Sequence, residues 1–291
     1  MTRYASWTAG KLPLPELQEM KRRGEKIVMV TAYDAPSARL ADAAGVDLIL
    51  VGDSSGMVVH GRESTVPVTL DEILFMTQWV TRGAKRSLVV ADMPFGSYET
   101  SNEQAIGNAV RLVKEGGADA VKLERGGTSV DRARAIVDAG IPVMGHVGLT
   151  PQTATVLGGF KAQGRTADRA QKLIDDALAL QAAGCFAIVL EAVPSAVARA
   201  ATQALGVPTI GIGAGADTDG QVLVWHDMLG YSEGHAPRFV KRYAEIGEAI
   251  VDALGRYAEE VRSGAFPEEQ HTYKMPAEER EQFEAKSGSR E

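Results

Sequence analysis

Cysteine is almost missing from this chain: one residue, Cys185, stands among 291. That excludes an internal disulfide and any cysteine cluster around a structural metal. No apolar run approaches the roughly 20 residues needed to cross a bilayer. The opening MTRYASWTAG also lacks the apolar core of a secretory signal. The expectation is a cytoplasmic protein with no membrane partner. Lys and Arg gather into no basic stripe, and a net charge of -7 with a pI near 5.4 repels a phosphate backbone. Nucleic acid is not an expected partner. The five histidines, His60, His146, His226, His235 and His271, form no HExxH pattern. Low-complexity tracts are absent too. A hydrophobic fraction of 45% and a charged fraction of 24% are those of a globular protein, which argues against a disordered or fibrous chain.

What the chain does have is regular alternation. From Ile27 onward, short β-rich runs alternate with helical patterns, and Gly or Gly-Pro usually stands just before each new run. The runs are IVMVTAY (27–33), LILVGDS (48–54), SLVVADMP (87–94), AVKLE (120–124), PVMGHVG (142–148), AIVLEAV (187–193) and PTIGIGAG (208–215). An eighth, VLVWHD (222–227), is weaker, because too little chain precedes it for a full crossover helix. Helices are expected over 36–43, 71–82, 102–116, 129–139 and 167–183, where Ala, Leu and Val recur at spacings of three and four. Ser101 or Thr100 is placed to cap the third of these, and Gly116, Gly140 and Gly184 to end helices. Runs as uniformly apolar as LILV and AIVL must be covered on both faces, the mark of a parallel sheet clothed by helices. Units repeating every ~30 residues predict a (β/α)8 TIM barrel, with a doubly wound open sheet as the alternative. The expected layout is one barrel domain over 1–266 with a short N-terminal extension, a last helix over 238–261, and a charged tail over 267–291.

In both architectures catalytic groups gather at the carboxyl ends of the strands. Asp53, Asp92, Lys122 with Glu124, His146 and Glu191 all stand at such ends. One acid after a strand is commonplace and often caps a helix. Four are harder to dismiss, because carboxylates brought together must share a cation or a proton. Oxygen ligands favour Mg²⁺ or Mn²⁺ over zinc. His146 has the alternative of a core histidine satisfied by a backbone carbonyl.

Two short motifs point elsewhere. GDSSG (52–56) fits the GxSxG nucleophile elbow with Ser54 as nucleophile, but the β-branched MVVHGRESTVPVT follows where a helix is required. GIGAGA (211–216) fits GxGxxA of a dinucleotide fold, but ADTDG stands in place of its helix. A Gly-rich turn after a barrel strand is the better reading. The loop 145–165, GHVGLTPQTATVLGGFKAQGR, has the length of a lid or substrate contact.

Taken together, TAYDAPSA, LVGDSSGM, STVPVTLDE, ADMPFGSY, VKLE, GHVGLTPQ, GGFKAQGR, LEAVP, GIGAG and TDGQVLVWHD resemble the ketopantoate hydroxymethyltransferase (3-methyl-2-oxobutanoate hydroxymethyltransferase) family. The resemblance covers most of the chain. It implies a Mg²⁺-dependent (β/α)8 barrel of the phosphoenolpyruvate mutase/isocitrate lyase type. It also implies hydroxymethyl transfer from 5,10-methylenetetrahydrofolate to 3-methyl-2-oxobutanoate, giving 2-dehydropantoate in pantothenate biosynthesis. On this likeness Asp53, Asp92 and Glu124 match the metal-binding carboxylates and Glu191 the general base. Ser54 and Lys122 match substrate contacts, and Asp53, Asp92 and His146 are placed with them. A homo-oligomer, a decamer in the family, is implied as well. Arg125 departs from the pattern where the family often has Gly, and Met76 where it often has His. Two other classes stay open: a Mg²⁺-dependent 2-oxo acid C–C lyase of the same superfamily, and a non-catalytic binding protein. Such lyases carry a catalytic cysteine in a KKCGH-like loop, whereas Cys185 precedes a strand.

Overall fold

The computed structural model describes residues 10–231 and 237–287, so His235 and both extreme ends of the chain lie outside the described residues. Eight strands run in chain order: β1 (Ile27–Thr31), β2 (Leu48–Val51), β3 (Leu88–Asp92), β4 (Ala120–Lys122), β5 (Val143–Gly148), β6 (Ala187–Glu191), β7 (Thr209–Ile212) and β8 (Gly220–Leu223). Each pairs in parallel with the next, and β8 pairs with β1, closing the barrel. The expected barrel is thus present and the open sheet is not.

The helices are α1 (Leu14–Arg22), α2 (Ala35–Ala44), α3 (Ser55–Val58), α4 (Leu70–Gly83), α5 (Asn102–Lys114), α6 (Thr128–Asp138), α7 (Ala154–Leu157), α8 (Ala167–Ala182), α9 (Ser195–Ala204), α10 (Trp225–Met228), α11 (Ile246–Ser263) and α12 (Ala277–Ser287). Local chemistry sets their starts. Ser101 Oγ accepts from Gln104 N at the head of α5, and Thr69 with Glu72 forms a reciprocal capping box on α4.

The strand pleat sorts side chains into two cores, because successive residues point to opposite faces. Leu48, Leu50, Leu88, Val90, Ala120, Met144, Ala187 and Val189 fill the barrel interior. Their neighbours Ile49, Val51, Val89, Ala91, Val121, Val143, Ile188 and Leu190 pack outward against the helices. Burying each of the Val, Leu, Ile and Met side chains among them stabilises the fold by about 1.5–3 kcal/mol. Leu17 and Met20 of α1, with Leu12 just before it, join the interior cluster.

The weak eighth run is a true strand reached without a helix. Asp219 pins the return: its carboxylate accepts from Thr209 N at 2.8 Å, Thr209 Oγ1 at 3.0 Å and Lys21 Nζ at 2.7 Å. Gly220 is required there, since a Cβ would lie 2.4 Å from the Ile27 carbonyl oxygen and 2.8 Å from Ile210.

One compact unit extends to Tyr243, and residues from Ala244 onward form a second. The expected last helix begins later than 238. Tyr243 N donates to Met228 O at 2.7 Å, holding that stretch against the end of α10 instead of in a helix. In the second unit α11 carries Ile250, Leu254, Tyr257 and Val261 along one side. The expected tail includes α12, a polar helix braced by an Arg280–Glu284 pair at 3.0 Å. Among the described residues no helix is long and apolar enough to cross a membrane.

Candidate active site

The pleat that makes the lower barrel layers apolar delivers the charges above them. Asp92 is two residues beyond Val90, Lys122 beyond Ala120, His146 beyond Met144 and Glu191 beyond Val189, all on the interior-facing register. Glu124 continues the same alternation past Lys122. Asp53 stands in the turn after β2, where its N–H donates to Asp92 Oδ2 at 3.0 Å. The structure therefore brings together all of the residues singled out at strand ends. They share one cavity of about 600 Å³ with Ser54, at the carboxyl end of the barrel.

Contacts there are dense. Lys122 Nζ lies 2.8 Å from Asp92 Oδ1 and 4.0 Å from Glu124 Oε1. Among the described residues His146 has no hydrogen bond to a backbone carbonyl. Its Nδ1 lies 3.3 Å from Glu124 Oε1, and its Nε2 faces Glu191 Oε2 at 3.2 Å. Ser54 Oγ is 2.9 Å from Tyr33 Oη. A single helical turn, α3, does follow Ser54, which the β-branched sequence had argued against. The hydroxyl's partner is nevertheless a tyrosine and not a histidine, so no nucleophile–base pair forms.

Two residues the sequence reading missed tie the acids together. Gln152, in a turn of the β5–α8 loop, donates from Nε2 to Asp53 Oδ2 at 2.9 Å and to Met93 O at 3.0 Å. Its backbone N–H donates to Glu124 Oε2 at 3.1 Å. Tyr98 Oη donates to Gln152 Oε1 at 2.7 Å and accepts from Glu124 N at 3.3 Å. A Gln four positions after a strand and a Tyr in a loop carry no local signal; the GLTPQ and PFGSY segments marked only their loops.

Electrostatics follow from crowding. Burial, then the Asp92 and Glu124 charges, push the Asp53 carboxyl well above its ordinary range. Burial also raises Asp92, against the opposing pull of Lys122. Burial penalises Glu124 as well, but the bond and charge of His146, helped by Lys122, leave it below its usual value. Burial and the Lys122 charge work against protonated His146, yet Glu124 and Glu191 hold it up at about 9. Lys122 is raised, since Asp92, Glu124 and Asp53 outweigh its desolvation. Four carboxylates, Asp53, Asp92, Glu124 and Glu191, thus face two cationic groups, Lys122 and His146.

That imbalance suits a divalent cation. Asp92 Oδ1, though close to Lys122, is a buried oxygen without a hydrogen bond. Among the described residues no three His, Cys, Asp or Glu side chains form a ready-made metal cage. Mg²⁺ does not need one: it binds through one or two carboxylates plus waters and substrate oxygens. Asp53 and Asp92 fit that demand, whereas both oxygens of Glu124 already face His146 or Gln152.

Backbone strain flanks the two outer acids. Among the described residues only Arg125 (φ 78°) and Ala192 (φ 48°) are non-glycines in the left-handed region. They directly follow Glu124 and Glu191. Such a conformation costs roughly 1–2 kcal/mol for a residue with a Cβ, and strain of this kind concentrates at functional sites. Met76, the other departure, is buried in α4 away from the site. Cys185 is buried in the outer core and takes no part in the cavity, which removes the cysteine a C–C lyase of this type would need.

Solved structures similar to this one include a phosphonopyruvate hydrolase complexed with oxalate and Mg²⁺, with TM-score 0.58 and 13% identity, covering 95% of this chain and 98% of that one. Another is a 2,3-dimethylmalate lyase of the PEP mutase/isocitrate lyase superfamily, with TM-score 0.56 and 17% identity, covering 94% and 99%. At these identities the likeness is one of fold. Sequence relatives are far nearer. The 3-methyl-2-oxobutanoate hydroxymethyltransferase of Moorella thermoacetica is 60% identical over 264 residues, 91% of this chain and 98% of its own length. The mitochondrial enzyme 1 of that name from Arabidopsis thaliana is 55% identical over 280 residues, 94% of this chain and 81% of its own. The profile described as Ketopantoate hydroxymethyltransferase matches residues 11–269, and the chain belongs to that family.

Proposed function

We propose that this chain transfers a hydroxymethyl group from 5,10-methylenetetrahydrofolate to 3-methyl-2-oxobutanoate, giving 2-dehydropantoate for pantothenate biosynthesis. The observation that carries the reading is the convergence of Asp53, Asp92, Lys122, Glu124, His146 and Glu191 in one cavity with room for a small 2-oxo acid. Asp53 and Asp92 would hold Mg²⁺, with Glu124 beside them as the third acid. Bound there, Mg²⁺ supplies Lewis-acid polarisation of the keto oxygen, a contribution of several kcal/mol.

The protein's own groups do the rest. Lys122 places a fixed positive charge near the carboxylate and the developing enolate oxygen, and Ser54 offers a hydroxyl to the same substrate. Glu191 is the most exposed of the site's acids, at 15% against 1% for Glu124, and is the base free to meet a substrate carbon. It takes the proton from C3, and that carbon forms a bond to the folate methylene. Water then supplies the hydroxyl oxygen as tetrahydrofolate leaves. His146, held between Glu124 and Glu191, fixes the carboxylate's orientation and carries positive charge beside it. The walls Leu50, Val189, Ile212 and Val222 keep the floor of the cavity dry. A cytoplasmic homo-oligomer, as the family likeness implies, completes the proposal.

The test is turnover. The chain mixed with Mg²⁺, 3-methyl-2-oxobutanoate and methylenetetrahydrofolate is expected to form 2-dehydropantoate, read by mass spectrometry, and to stop when the metal is chelated. No product under these conditions rejects the proposal.

A further inference from the structure

A second cavity, about 1260 Å³, adjoins the first and shares Met57, Phe160, Glu191 and Phe239 with it. It is roughly twice the volume of the acid-lined cavity and contains none of Asp53, Asp92, Lys122 or Glu124. Its walls are mainly apolar, from Leu149 and Val193 to Phe160 and Phe239, with Arg165 and Arg238 among its lining residues. Phe160 is 55% exposed on the β5–α8 loop, so core packing does not account for it. Phe239 lies against Gly213, whose missing Cβ leaves the ring its place; a Cβ there would come within 2.7 Å of it. The second cavity thus combines aromatic faces, apolar walls and guanidinium groups, and Glu191 sits on the boundary between the two.

We propose that this second cavity is the binding site of the one-carbon donor. Phe160 and Phe239 receive its flat heteroaromatic ring, and Arg165 and Arg238 meet the carboxylates of its glutamate tail. The inference rests on the hydroxymethyl transfer proposed above. A bond between the C3 carbon and a donor methylene requires two sites that meet where the proton is lost, and Glu191 is where these cavities join. Aromatic faces bind flat rings through offset or edge contacts, and the planar guanidinium matches a carboxylate with two parallel bonds. The acid-lined cavity shares Phe160 and Phe239 but has a single guanidinium, Arg62, against the pair Arg165 and Arg238 in the large one, and the large one lacks the crowded carboxylates suited to a metal.

Arg165→Ala and Arg238→Ala, at exposed positions, test the tail contacts, and Phe160→Ala tests the ring contact. Initial rates are measured with tetrahydrofolate as carrier and with tetrahydropteroate, which has the same ring system without the glutamate carboxylates. In the wild type, removing the tail is expected to raise the carrier KM about tenfold. Each arginine variant should raise KM for the full carrier five- to tenfold, leave KM for 3-methyl-2-oxobutanoate within twofold, and show little further loss with tetrahydropteroate. Arg238→Lys should recover part of the loss. Phe160→Ala should weaken both carriers alike. Unchanged carrier KM in all three alanine variants, or losses fully additive with removal of the tail, overturns the assignment. So does a rise confined to the 2-oxo acid KM. The wild type must turn over for any of these to be read, so failure of the parent reaction is distinguished from failure of this site.

Discussion

The two ends of the barrel both carry acids, but they handle them in opposite ways. Below the strands, Asp47 accepts from Val28 N, Asp119 from Val89 N, Asp219 from Thr209 N, and Asp42 from the Arg86 and Ser87 amides. Each carboxylate there fastens the start of a neighbouring strand or the residues just before it, and Lys21 and Lys11 neutralise two of them. Above the strands, Asp53, Asp92, Glu124 and Glu191 are set among one another, and two cationic groups must serve four acids. An acid just before a strand is thus a fastening; an acid just after one belongs to a site that becomes stable when something positive arrives. The lower end contributes stability, while the upper end stores an electrostatic cost that ligands relieve.

Breaking the upper end should have the largest effect on activity. Asp92→Ala is expected to lower turnover by about 10³-fold and to abolish Mg²⁺-dependent binding of the 2-oxo acid in calorimetry. Its stability cost should be the smaller of the two, because Glu124 and Asp53 still face Lys122 when Asp92 is gone. Breaking the lower end should do the reverse. Asp219→Ala leaves Thr209 N without its acceptor and Lys21 without its carboxylate partner, and is expected to cost about 3 kcal/mol in urea unfolding, with kcat retained in the folded fraction. Equal losses of activity and stability in both variants would erase the distinction between the ends.

A smaller effect is expected at Gln152, which holds Asp53 and Glu124 without itself facing a metal. Gln152→Ala should weaken Mg²⁺ binding by about tenfold, in line with loss of a partner that orients ligands. Smallest is the effect of an acid in the first turn of α4. The Arg62 bond to Glu72, beside the α4 cap, holds its carboxyl at about 2. Because the folded value is depressed, the stabilisation is present above the unfolded value and fades as pH falls from about 4.3 toward 2. Partial exposure screens it, so Glu72→Gln should cost about 1 kcal/mol at pH 7 and nothing near pH 2 by thermal melts.

How much of this was legible in the sequence depended on whether a residue's role was set by its own strand. The uniformly apolar runs marked the strands, and the charged residues two steps beyond Val90, Ala120 or Val189 were visible because a period of two continues past the strand end. The barrel's closing strand was faint because Gly220 and a return held by Asp219 replace a crossover helix, and that connection depends on Lys21 far back in the chain. Gln152 and Tyr98 stayed hidden for a similar reason: they act across 26 to 99 residues of sequence, from turns with no periodicity. Arg125 was visible as a departure, but only its φ of 78° shows why Gly would be the easier residue there. The start of the last helix was misplaced because a single tertiary bond, Tyr243 N to Met228 O, overrides local helical preference.

The central claim is that Glu191 removes the C3 proton at the junction of the two cavities. The most direct measurement follows exchange of that proton of 3-methyl-2-oxobutanoate with deuterated solvent by NMR, with Mg²⁺ present and no folate. Wild-type protein should exchange it, and Glu191→Gln should bind the 2-oxo acid normally while exchanging at least 10²-fold more slowly, the scale of a lost general base. Exchange at the wild-type rate in Glu191→Gln would contradict the assignment.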